Sequence, residues 1–357
     1  MIPIEYDLSK LKGYNNFIEN FIKKINQGLL QGYIGNKKRL TKKEARTTYN
    51  QLSPEQRIVV EKLVDIKEMF NDNEKEKILF PRYILDSDSR AFFLETKTSL
   101  KEWCEYKPQK IRELCNRLMD EYKAFIDHQS QLYLNVYYIF VQRGYDNDLF
   151  PKGELIDASH ADVCPYCNRT FIRNVTGKDG KQIKGQLDHF LDKDTYPFLA
   201  ILKYNLVPSC PYCNGPTGKH TKDAIKEGLV SPFELESADE LTFKINILNA
   251  DITDATKCVD AMSLDIVCKN PKMKNNNHIF HIQELYHTHM DYAAEVYLKT
   301  RMMGSSAYIT FVERLTHSHF PICPTELILG FSLDPQTFKS RPISKFRTDI
   351  YNDITKK

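Results

Sequence analysis

The pentapeptide Cys-Pro-Tyr-Cys-Asn occurs twice, as Cys164 to Asn168 and again as Cys210 to Asn214. A Cys-x-x-Cys turn brings two thiolates within reach of one tetrahedral ion, and two such turns complete a closed four-sulfur site. The spacing therefore predicts that both ends of the intervening segment meet at one metal. Zinc suits the set, because it accepts sulfur and has no redox chemistry of its own. Two other readings stand beside it: unrelated turns with buried thiols, and a redox Cys-x-x-Cys in one copy. Duplication favours metal. Nine cysteines are an odd number, which argues against a complete disulfide framework and fits thiols kept reduced in the cytoplasm.

The segment between the knuckles is longer than the roughly 15–20 residues of a simple zinc ribbon, so it is expected to fold into a small structure of its own. With 357 residues there is room for two or three domains. Residues 1–150 read as a helical domain: Leu11, Phe17, Phe21, Ile22 and Ile25 recur near the helical period, and Ser53-Pro54 with Gln56 looks like a capped helix start. Glycine and proline then become dense, which sets a boundary near 150. Residues 151–230 hold the knuckles, and 231–357 read as an α+β region packed on them. Strands are expected at 181–190 and 241–248, and helices from Thr217 to Gly228 and over 282–303. The net charge of +3 is only mildly basic and requires any nucleic-acid surface to be local. MIPIEYDLSK has no basic start followed by an apolar run, so no secretory leader is expected. The most apolar stretch, LYLNVYYIFV, is about half as long as a membrane span needs, so no membrane role is expected.

Between and after the knuckles lie Asp188-His189, Asn205 and Asn214. Cutting a phosphodiester takes a deprotonated water in line with the leaving oxygen and a cation to offset charge on phosphorus. Neighbours on a strand point to opposite faces, so Asp188 can offer oxygen to a metal while His189 faces the water. Asn214, directly after a zinc thiolate, offers a second oxygen, and two protein ligands plus waters are enough for Mg²⁺. Asn205 can bond backbone across the connecting loop and hold the strand of His189.

In this order the residues resemble the HNH endonuclease family, whose core is a two-stranded hairpin and a helix clasping one metal. The resemblance covers about 164–222: Cys164 and Cys167, Asp188-His189, Asn205-Leu206-Val207, then Cys210, Cys213 and Asn214. It implies an α+β, mainly helical fold with a central ββα-metal module and a structural four-cysteine zinc site. It also implies His189 as general base, Asp188 and Asn214 as ligands of the catalytic ion, and Asn205 as the structural asparagine. Many members have His where this chain has Asn214; an amide oxygen is the harder, weaker ligand, which points to Mg²⁺ or Mn²⁺ rather than a catalytic zinc. The family's lysine after the last ligand is displaced here to Lys219, which with His220 and Lys222 is expected to meet nucleic acid, DNA by family. A solvent-facing histidine is the plainer reading of His220. The run from Lys203 to Cys210 is similar to HNH nucleases of bacterial anti-phage systems, such as the nuclease subunit of Septu systems, which work with an ATPase. The competing reading is a zinc-containing adaptor that binds nucleic acid without cutting it. Such an adaptor keeps the cysteines but has no need of Asp188, His189 and Asn214 together.

Other groups call for less. Lys37, Lys38, Arg39, Lys42, Lys43 and Arg46 form a basic cluster able to grip phosphate, or a solvated helix face, since Glu44 interrupts it. Arg341, Lys345 and Arg347 form a second, smaller one. His289, on an apolar helix face, reads as a hydrogen-bonded core residue. Cys104 and Cys115 read as core residues sharing one helix face, and Cys258, Cys268 and Cys323 show no ligand spacing.

Overall fold

The computed structural model describes residues 1–179, 182–183, 185–254, 257–303, 305, 307–308, 310–311, 314 and 324–356. Cys323 lies outside them. The described residues are mainly helical, with four two-stranded sheets. Two compact units result: Ser9–Leu155 with His189–Leu206, and Met1–Leu8 with Ile156–Asp188 and Val207–Lys357. The first stretch of the helical unit runs to Leu155, and no division between these two units falls near 230. Residues beyond 230 share a unit with the knuckles, and residues 189–206 belong to the helical unit.

In the helical unit, Lys12–Gln31 buries Tyr14, Ile18, Phe21, Ile25 and Leu29 along one face and ends in Gly32 at φ 78°. That left-handed cap is the conformation glycine adopts without steric cost. Phe92 on Ser87–Trp103 sits among the rings of Phe93, Tyr122, Phe125, Phe140 and Phe198. Phe198 comes from the segment between the knuckles, and its burial in this aromatic cluster explains why that segment joins the helical unit. Pro108 starts a new helix, Pro108–Glu121, so Cys104 and Cys115 are both buried but share no helix: Cys104 caps the end of Ser87–Trp103 and Cys115 lies on Pro108–Glu121. Ser53 and Gln56 form the expected capping box.

Strands β1 (Lys38–Thr41) and β2 (Lys77–Phe80) pair antiparallel over a second small core of Ala45, Val60, Met69, Ile78, Phe80 and Ile84. Here the first basic cluster is partly consumed. Lys42 is fully buried and pairs with Glu76 and Asn71, Arg46 Nε donates to the Met69 carbonyl at 2.7 Å, and Lys37 donates to the Leu63 carbonyl at 3.2 Å. Lys38, Arg39 and Lys43 stay exposed.

The other unit contains β3 (Val175–Thr176) and β4 (Gln182–Ile183), then β5 (Gln186–His189) and β6 (Leu206–Ser209), then β7 (Leu241–Ile247) and β8 (Met262–Cys268). The expected strand at 181–190 is thus two short strands. Chain division passes through the β5–β6 hairpin, since its connecting residues belong to the helical unit. The edge of β7 is closed by the helix Ser344–Thr355: Phe243 N–H donates to Asp349 at 3.1 Å and Ile245 N–H to Asp353 at 3.3 Å. Two acids at i and i+4 match alternate amides of the strand, which removes an open edge. The second basic cluster is likewise structural in part, with Lys345 buried on Asp349 and Arg347 stacked 4.3 Å over the Tyr292 ring.

Two helices differ from expectation. The span 282–303 is broken into Ile282–His287 and Met290–Met303. Residues 217–228 form turns rather than a helix, because His220 at φ 46° and Gly228 at φ 62° are left-handed.

Candidate functional site

The four sulfurs of Cys164, Cys167, Cys210 and Cys213 are buried and all lie within 4.8 Å of one another. Cys167 and Cys210, one from each knuckle, are 3.8 Å apart. A tetrahedral ion with metal–sulfur bonds of about 2.3 Å sets its sulfurs roughly 3.8 Å apart, so the donor set fits zinc. Packing four thiols together also redistributes their protons. Hydrogen bonds from the other three drive Cys210 far below the usual thiol range, while burial pushes Cys164 up.

The knuckles share a sequence but not a set of contacts. In the first, Asn168 is buried at φ 54°, and its side chain bonds the Phe338 carbonyl at 2.7 Å and the Lys345 N–H at 3.1 Å. Tyr286 donates to the Cys167 carbonyl at 2.7 Å. The first knuckle therefore carries the C-terminal region. In the second, Asn214 is half-buried, and its amide nitrogen donates to Gln186 Oε1 at 3.0 Å. Gln186 and Asp188 are two apart on β5 and share a face, so Asn214 meets the strand on the Asp188 side. Gly218 completes this knuckle. A Cβ there would lie 2.3 Å from the Cys213 carbonyl oxygen and 2.6 Å from that of Tyr212, so only glycine lets the chain pass.

Asp188 is 2% exposed and has both oxygens engaged. Tyr166 from the first knuckle donates to Oδ2 at 2.7 Å, and Lys219 Nζ donates to Oδ1 at 3.1 Å. Burial, then the nearby Asp188 charge, raises the Tyr166 phenol well above its usual range, so it remains a donor. Lys219, expected to meet nucleic acid, is fully buried. Its N–H is tied to the Cys213 carbonyl at 2.9 Å, which sends a fully buried side chain inward to Asp188. His220 is exposed beside Thr221, and Lys222 is half-buried with its ammonium on the Gly218 carbonyl.

His189 follows on the opposite face of β5. Its Nε2 is 3.0 Å from the Ala200 carbonyl. A carbonyl only accepts, so Nε2 carries a proton and donates it. Tyr145 packs edge-on against the imidazole, with centroids 4.2 Å apart, and Lys152 lies 4.3 Å above the Tyr145 ring. Asn205 is 1% exposed and binds backbone in the same loop: its oxygen accepts from Leu191 N–H at 2.8 Å, and its nitrogen donates to the carbonyls of Leu191 and Leu199 at 3.0 and 3.2 Å. Leu199 immediately precedes Ala200, so Asn205 fixes the carbonyl that orients His189.

Sequence does not single out Tyr166 or Tyr145. Tyr166 carries no distinguishing signal, because Tyr212 holds the same place in the second copy and is 63% exposed. His289 is half-buried and accepts from Arg169 Nε at 2.8 Å.

No family model and no solved structure matches the chain. Among curated proteins, the Septu protein PtuB of Bacillus thuringiensis is 49% identical over 47 residues. That stretch is 13% of this chain and 18% of the PtuB length, so the chain matches about a fifth of that relative.

Proposed function

We propose that the chain is an HNH-type endonuclease that hydrolyses phosphodiester bonds of nucleic acid, DNA foremost, with zinc in the four cysteines and Mg²⁺ or Mn²⁺ at Asp188 and Asn214. The observation that carries this reading is the His189 Nε2 bond to the Ala200 carbonyl, which fixes the imidazole in one orientation. His189 Nδ1 takes the proton from the attacking water. Asp188 and Asn214 supply hard oxygen donors of the kind magnesium prefers. When bound, the ion offsets negative charge on the phosphate as it reacts. Asn205 holds the loop whose carbonyl keeps the imidazole in that orientation. The similarity to a Septu protein supports a role as effector in anti-phage defence, with an ATPase or another subunit of such a system as partner.

The buried Lys219–Asp188 pair favours a second reading, in which Asp188 is structural and the module is a zinc-containing nucleic-acid adaptor. Incubation of the chain with supercoiled plasmid, in Mg²⁺ and in EDTA, separates the two. The nuclease reading expects Mg²⁺-dependent nicking that leaves 5′-phosphate ends and disappears in His189→Ala. Nicking by that variant at the parental rate would remove His189 as base, and binding without nicking would establish the adaptor.

A further inference from the structure

We infer that Lys219 is the resident counter-cation of Asp188, and that a divalent ion binds this carboxylate only by taking over the oxygen Lys219 holds. This rests on the metal-nuclease reading above. Both Asp188 oxygens are engaged, Oδ2 by Tyr166 and Oδ1 by Lys219, and all three side chains are buried. In so dry a place an ammonium and a divalent ion on one oxygen repel strongly, because little solvent screens them. Magnesium sits about 2.1 Å from its oxygens, closer than any ammonium comes, so the two compete for Oδ1.

The geometry also supplies the lysine with somewhere to go. Its ammonium is already 3.3 Å from the His220 carbonyl, so it can leave Asp188 and stay hydrogen-bonded. Its backbone stays put, with the N–H on Cys213 and the carbonyl accepting from Lys222 at 2.9 Å. Tyr166, on the other oxygen, keeps the carboxylate aligned during the exchange. Lys219 and Tyr166 are thus positioning residues: one sets how tightly metal is held, the other where. The buried acid is never left unpaired, and metal affinity is lower than the oxygen donors alone would give.

The test is a titration of the purified full chain with Mn²⁺, reading free Mn²⁺ from its electron paramagnetic resonance signal. Asp188→Asn is expected to remove a binding step seen in the parent. Lys219→Met is expected to tighten that step by about tenfold or more, equivalent to about 1.4 kcal/mol, and Lys219→Arg to leave it near the parental value. Mn²⁺ should also raise the melting temperature of Lys219→Met more than that of the parent. If Lys219→Met does not fold, Lys219→Gln serves in its place, because it keeps a donor without the charge. Equal or weaker binding by the neutral variants, with the step still lost in Asp188→Asn, overturns the counter-cation and leaves the metal site standing. Parental binding by Asp188→Asn removes the metal reading and this inference with it.

Discussion

Asn205 grips Leu191 at both ends of one peptide pair, accepting from its N–H at 2.8 Å and donating to its carbonyl at 3.0 Å. A third bond reaches the Leu199 carbonyl. Truncation to alanine strands these buried backbone groups, so Asn205→Ala should lose about 3 kcal/mol in urea unfolding. Loss of less than about 1 kcal/mol would mean that the loop is held by something else.

The zinc prediction is a count. Cys210→Ser should lose one metal equivalent per chain by mass spectrometry of the digested protein. Gly218→Ala should reduce the same equivalent, because its Cβ collides with two knuckle carbonyls rather than with a movable side chain. Full metal content in Cys210→Ser would exclude the four-sulfur site.

His289 gives a pH dependence. Burial first, and the Arg169 charge second, lower its pKa below the usual 6.5 in the folded chain. The unfolded chain therefore takes up the proton more readily. Stability present above pH 6.5 is lost as pH falls below it, towards the folded value. The parent should lose melting temperature on acidification faster than His289→Gln, which keeps a neutral acceptor for Arg169. Parallel curves would show that His289 does not contribute.

Asp349 joins Lys345 to the edge of β7. Asp349→Ala leaves a buried ammonium and an unsatisfied strand amide, and should cost about 3–5 kcal/mol by denaturant titration. Double substitution of Asp349 and Lys345 by leucine and methionine should recover part of that loss, since the uncompensated charge is gone.

Local features were legible from sequence and long-range ones were not. The knuckles, the helix beginning near residue 12, the Ser53 cap and β7 are written in spacings of a few residues. The junction of residues 189–206 with the helical unit depends on Phe198 meeting Phe92, a contact no local pattern announces. Lys219 read as a nucleic-acid contact from its place after the last expected ligand. Its inward path is set by a backbone bond to Cys213 and by an acid distant in sequence. The helix expected at 217–228 failed at His220, since a left-handed histidine leaves no compositional trace.

The unequal fates of Asn168 and Asn214 bear on how far a repeated motif can be trusted to transfer a role. The first asparagine is tied into the architecture by its dihedral angle and both ends of its amide, so replacement there taxes folding. The second bonds Gln186 and stands half in solvent, so exchanging it for histidine alters donor chemistry and spares the scaffold. Identical words in one chain thus tolerate different spelling changes, and the looser of the two is where variation disturbs the scaffold least.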